Sequence, residues 1–169
     1  TAFTVVQTGS TGGLTFTAAP TIDVLTGDLV FQSAPDSNGT ATFEVILADD
    51  GAALSPNVNT SAAHAFTITV NAVNDAPTFM LASDPLAVNE NAGTQTVASF
   101  ASGMSAGPAN ESGQSLTGFT VTQTGSTGGL TFTTAPGIDV ATGNLTYQSA
   151  PDSSGTATFQ ATLADSGLG

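Results

Sequence analysis

Among its 169 residues the chain has no lysine, arginine, cysteine or tryptophan, set against 13 carboxylates and a single histidine. An ordinary soluble domain carries about a quarter charged residues of both signs. Without cationic side chains, no salt bridge forms except at His64 or the amino terminus. A clustered or buried carboxylate must then be neutralised by protonation, by hydrogen bonds or by a metal ion. The same absence excludes a nucleic-acid partner, because counterion release at phosphates needs Lys or Arg, and it excludes electrostatic attachment to anionic lipid. It also leaves trypsin-like proteases nothing to cut. Missing cysteine rules out a disulfide framework, thiolate chemistry and zinc–sulfur sites. That fits an extracellular protein whose rigidity comes from elsewhere. No run approaches the roughly 18 apolar residues of a membrane span, so no membrane insertion is expected in this segment. No charged n-region with an apolar h-region marks a signal peptide, so any export signal is expected outside it.

What is present argues for a folded chain. Hydrophobic residues make up 40% of it, too many for a disordered acidic tail. The dominant feature is a duplication: Thr1–Gly51 recurs as Thr117–Gly167 at an offset of 116 residues, down to TGSTGGLTFT in both copies and QSAPDS in both copies. That period far exceeds a solenoid unit and matches a whole sandwich domain of about 100 residues. The natural boundary is Val73-Asn74-Asp75-Ala76-Pro77, where a strand-like run gives way to turn-prone residues. Residues 1–74 are expected to be the later part of one module and 75–169 the opening of the next. Both termini then fall inside modules, as in a window on a longer array.

Period-two alternation predicts strands. Phe3 and Val5; Phe43, Val45 and Leu47; Phe66, Ile68 and Val70; Phe119 and Val121; and Phe159, Ala161 and Leu163 share buried faces, with Thr, Gln or Glu mostly between them. The two copies agree. Outward Glu44 and Ile46 become Gln160 and Thr162, whereas Phe43 and Leu47 recur as Phe159 and Leu163; Val45 to Ala161 predicts local repacking. Abundant threonine, frequent Gly and Pro, and the lack of any sustained helical period predict an all-β, antiparallel β-sandwich. Gly9–Gly13 and Gly125–Gly129 precede no helix and adjoin no lysine, so they read as hairpin loops rather than phosphate cradles. Thr26-Gly27-Asp28 and Thr142-Gly143-Asn144 read as turns into strands.

Several segments resemble cadherin-type repeats and the related immunoglobulin-like, RTX-type extender modules of very large bacterial surface proteins. Phe66–Pro77, ending Asn-Asp-Ala-Pro, looks like their final strand and linker. Leu47–Gly51 and Leu163–Gly167 are similar to the A-x-D-G segment, Ile22–Gly27 and Ile138–Gly143 to I-D-x-x-T-G, and Val88–Asn91 to an early acidic N-E motif. The resemblance spans essentially the whole chain and implies a Greek-key sandwich with calcium where modules meet. It assigns Asn74 and Asp75 as linker ligands, Asp36 from the preceding module, and Glu111, with Asn110 beside it, and Asp165 from the following one. Glu90 and Asp152 would serve the next junction downstream, and Asp49 the one upstream. Calcium takes six to eight oxygens, which Asp, Asn and carbonyls supply without a cationic partner. Two departures imply fewer or weaker ions: Asn71-Ala72-Val73 stands where a further Asp is usual, and Ala109–Ser112 carries one carboxylate instead of two. In the resemblance's I-D-x-x-T-G segments, Asp23 and Asp139 are expected to fix turns.

The remaining candidates carry little chemistry. His64 has no Cys or second His for a transition-metal site and no nucleophile for catalysis. Asp49 and Asp50 are adjacent, so on a strand they point to opposite faces, the wrong geometry for a glycosidase pair. The N-x-S/T triplets at Asn38, Asn59, Asn110 and Asn144 are about as many as a Ser/Thr-rich composition yields by chance. Thr-x-Thr at Thr15–Thr17 and Thr131–Thr133 fits ordinary outward threonines. The expected function is non-enzymatic: an extracellular extender of a surface adhesin, stiffened by Ca²⁺ between neighbouring modules. The alternatives are a self-assembling filament or sheath, and a glycan- or cell-binding module, against which the scarcity of aromatics speaks.

Overall fold

The computed structural model describes residues 1–54 and 57–167. The chain folds as two compact units, Thr1–Val73 and Asn74–Gly169. Apart from one short 3-10 turn, all regular structure among the described residues is antiparallel strand. No helix there is long and apolar enough to cross a membrane.

The first unit contains β1 (Ala2–Thr11), β2 (Phe16–Ile22), β3 (Leu29–Ser33), β4 (Gly39–Ala48) and β5 (His64–Val70). Strands β1, β4 and β5 form one sheet and β2 with β3 another. Alternation decides which side chains are buried. Leu14, Ala41, Phe43 and Ile68 are buried together, with Val5, Phe16, Phe66 and Val70 packed against them. Phe16 of β2 meets Phe43 of β4 edge-on at 5.8 Å, and Phe43 stacks on Phe66 of β5 at 5.2 Å. Aromatic pairs of this geometry add about 0.5–1.5 kcal/mol beyond their area.

The second unit opens with β6 (Thr78–Leu81), β7 (Gln95–Val97) and β8 (Ala101–Ser105), followed by a 3-10 turn at Ala109–Glu111. Then come β9 (Leu116–Thr127), β10 (Phe132–Ile138), β11 (Leu145–Ser149) and β12 (Thr156–Asp165). These last four repeat β1 to β4 in register: Phe3 faces Leu47 as Phe119 faces Leu163, and Val5 faces Val45 as Val121 faces Ala161. The aromatic contacts repeat too, Phe132 meeting Phe159 edge-on at 5.6 Å. A bulge recurs at Thr8 and at Thr124, beside Gly9 and Gly125. Phe100, Ala101, Ile138 and Leu145 form the core. Strand β7 extends β11, with Val97 opposite Leu145.

One expectation is corrected by the pairing. Gly9–Gly13 and Gly125–Gly129 do not close hairpins, because every ladder bond of β1 goes to β4 and that of β2 to β3, with the same division between β9–β12 and β10–β11. Strand β1 runs through Gly9 and Ser10 to Thr11, and the short turn after it carries the chain from one sheet to the other. Gly12 has φ +71° and packs against Gly39, so closely that a Cβ would meet the Gly39 Cα. The β2–β3 and β10–β11 turns are true hairpin loops, closed by Asp23 N–H to Asp28 O at 3.0 Å and Asp139 N–H to Asn144 O at 3.0 Å.

Candidate functional site

In the second unit, four of the eight residues that the resemblance implicates are drawn into one polar network. The 3-10 turn is closed by Glu111 N–H to Pro108 O at 2.9 Å and turns the Glu111 side chain inward, leaving it 7% exposed. Its Oε1 accepts the backbone N–H of Asp75 at 2.8 Å. Gly107 makes room for the other oxygen, since a Cβ there would overlap Glu111 Oε2. Gln114, whose N–H donates to Glu111 O at 2.8 Å, sends Nε2 to Asn74 Oδ1 at 2.8 Å. Asp165 ends β12, and its Oδ1 accepts Gly167 N–H at 2.8 Å. Gly167 packs so tightly that a Cβ would collide with Asn74 Oδ1 and Gln114 Oε1.

Three buried oxygens of this network have no hydrogen-bond donor from the protein: Glu111 Oε2, Gln114 Oε1 and Asp165 Oδ2. Buried polar oxygens are rarely left so, and each costs about 1–3 kcal/mol, more when charged. The donor set fits a hard cation: two carboxylates and an amide oxygen, with no nitrogen or sulfur. No cluster of three or more His, Cys, Asp or Glu side chains forms among the described residues. A hard cation at this site would therefore need amide and carbonyl oxygens as well as the two acids.

The sequence reading did not single out Gln114. It is uncharged and sits in no motif, and only the fold brings it to Asn74, 40 residues away in sequence. The signal on offer was its place just before β9, across from the A-x-D-G segment at the end of β12. Asn110, offered beside Glu111, is exposed.

The other four candidates lie apart from this network. Asp36 and Asp49 belong to the first unit and are exposed. Asp36 adopts φ +53° in the turn after β3, and Asp49 Oδ1 accepts Gly51 N–H at 2.8 Å, as Asp165 does with Gly167. Asp49 and Asp50 follow the end of β4 instead of lying on it, so the opposite-face argument does not apply to them. Asp165 is partly buried where Asp49 is open, because the residues around it come from 74–115, for which the first unit has no counterpart in this sequence. Asp152 repeats the left-handed turn at φ +55° and is held by Asn91, whose Nδ2 donates to Asp152 Oδ1 at 3.1 Å. Glu90 is exposed next to Asn91.

Asp23 and Asp139 fix turns, as expected. Asp23 Oδ1 accepts the N–H groups of Thr26 at 2.9 Å and Leu25 at 2.8 Å, and these bonds hold its carboxyl below the ordinary aspartate value. Asp139 is lowered too, chiefly by the Thr142 hydroxyl at 2.7 Å and then by the Thr142 N–H at 2.8 Å. His64 opens β5 on the exposed surface. Compared with protein-family models, curated proteins and solved structures, the chain matches none.

Proposed function

We propose that this chain is a structural extender segment of a secreted or cell-surface repeat protein, an adhesin stalk of cadherin-like, Greek-key β-sandwich modules that bind Ca²⁺ where modules join. The observation that carries the reading is the buried group of donor-less oxygens at Glu111, Gln114 and Asp165, next to Asn74 and Asp75. In a chain without a single Lys or Arg, no ammonium or guanidinium side chain can balance those acids, and a borrowed cation can. Asn74 and Asp75 follow the last strand of the first unit, so an ion held there ties the start of one module to its own body at the linker. Interdomain contacts within a chain are mobile by default, and a stiff rod needs something added at each joint. The duplication at a whole-domain period supports an array, and the absence of a nucleophile–base arrangement in the sequence supports a non-catalytic role.

The test is a calcium titration read by thermal unfolding and by small-angle scattering. Calcium at about 100 times its dissociation constant adds about 2.7 kcal/mol to the unit that binds it, and the maximum dimension of the chain is expected to lengthen or narrow in distribution relative to chelator. Identical unfolding curves and scattering in 5 mM calcium and in chelator, a concentration chosen to exceed the roughly 10⁻⁴ to 10⁻³ M constants of extracellular modules, overturn the reading.

A further inference from the structure

Nine asparagines are spread along the chain, and only Asn38 is followed by glycine. A side chain on the following residue crowds the approach of its backbone nitrogen to the asparagine carboxamide, and Gly39 has none. Asn38 lies in the connection between β3 and β4, outside both strands. Its neighbours are held: Ser37 Oγ accepts the N–H of Thr15 at 2.7 Å and donates to Thr15 O at 3.2 Å, and the Thr40 hydroxyl bonds with that of Thr11. The half-buried Asn38 side chain between them has no hydrogen-bond partner among the described residues. No bond has to break for its carboxamide to turn towards the Gly39 nitrogen.

Access to this turn does not depend on which flank of the repeat is present. Residues 52–73 accompany the first copy and residues 74–115 the second; Ser154, the counterpart of Asn38, is exposed with the latter in place. The related pair Asp50-Gly51 is restrained, because its glycine N–H is donated to Asp49 Oδ1 at 2.8 Å. Gly39 also stands where β1 and β4 meet most closely. Its φ is +126°, and a Cβ on it would overlap Thr11 O and come within 2.9 Å of the Gly12 Cα. The join has no room for an added atom.

We propose that Asn38-Gly39 is a self-modifying site, at which the chain converts its own backbone to isoaspartate and so loosens the join of β1 to β4 in the first unit. The Gly39 nitrogen attacks Asn38 Cγ, the Cγ–Nδ2 bond breaks, and ammonia leaves with the Gly39 amide proton. Water then opens the five-membered imide, its hydroxyl going to the carbon and its proton to the nitrogen. Breaking the new Cγ–N bond leaves aspartate. Breaking the original peptide bond leaves isoaspartate, whose main chain runs through Cβ and Cγ and is longer by one methylene. That extra atom enters directly before Gly39, where Thr11 and Gly12 leave no space for it. Copies with asparagine at this turn age, and copies with serine, as at Ser154, do not. The calcium site plays no part, so the two proposals stand or fall separately.

The experiment incubates the full chain at pH 8, below its melting temperature, beside Asn38→Ser, which installs the residue of the second copy and so keeps the turn. Mass spectrometry with fragmentation of the intact chain is expected to place an exchange of NH₂ for OH at Asn38. The rate there is expected to be at least about tenfold above that of any other asparagine, a barrier difference of about 1.4 kcal/mol. Isoaspartate-specific methylation is expected to label the incubated chain and not Asn38→Ser. Amide exchange then compares the isoaspartyl form with Asn38→Asp, and loss of protection at Thr11 and Thr40 is expected in the isoaspartyl form alone. A folded chain that keeps Asn38 intact while the urea-unfolded chain loses it overturns the proposal, because the fold then shields the site. So do reaction spread evenly over the asparagines, aspartate as the sole product, or an isoaspartyl form as well protected as Asn38→Asp.

Discussion

At the scale of single residues, Glu111 and Asp139 represent opposite ways of keeping a carboxylate in a chain without cations. Asp139 sits on the surface and is satisfied by the Thr142 hydroxyl and amide. Glu111 is buried with one oxygen satisfied and one without a donor. The Glu111→Gln variant is therefore expected to match or exceed the native chain in chelator, by about 1–3 kcal/mol, and to lose the gain that calcium gives the native chain. Thermal unfolding of both proteins with and without calcium checks the crossing. For Asp139 the folded pKa is lowered, so its contribution is present above the unfolded aspartate value and is lost as pH falls through the folded value. Asp139→Asn is expected to destabilise at pH 7, and the gap to the native chain to close in acid; Asp23→Asn should behave alike, as denaturant midpoints across pH would show. Asp23, Asp139 and Glu111 were legible because they sit in motifs. Gln114 was not, because an uncharged side chain gives no signal until the fold closes around it.

Among the elements, the strands were read from alternation, and the matching burial of Phe159, Ala161, Leu163 and Asp165 along β12 shows why period two suffices when one face is covered. The connections were harder to read. Gly-rich turns look alike whether they close a hairpin or carry the chain between sheets, and only the ladder partners distinguish Gly12-Gly13 from Gly27. The repeated backbone features have measurable weight. Gly155 has φ +139° and a Cβ there would overlap Thr127 O, so Gly155→Ala is expected to destabilise by at least about 1–3 kcal/mol, combining strain with a clash. Gly39→Ala, at the same place in the first unit, should do the same. Phe43 is 2% exposed at the meeting of β2, β4 and β5, and Phe43→Ala is expected to cost about 3–5 kcal/mol. Hydrogen exchange should show the loss of protection in β1, β4 and β5.

For the whole molecule, charge of one sign changes the usual response to salt. A protein with ion pairs loses them on screening, whereas a formal net charge of −13 without any cationic side chain offers only repulsion to screen. Raising sodium chloride from 10 mM to 0.5 M is expected to raise the melting temperature, and calcium at equal ionic strength to raise it further. Scanning calorimetry in the two salts separates general screening from a bound ion. The same one-sided charge has a consequence in acid. Acidification below about pH 3 makes most proteins polycations that repel one another. It makes this one nearly neutral, with His64 and the amino terminus as its only positive groups. Vinegar-strength acid should therefore turn clear solutions cloudy, and neutralisation should clear them again.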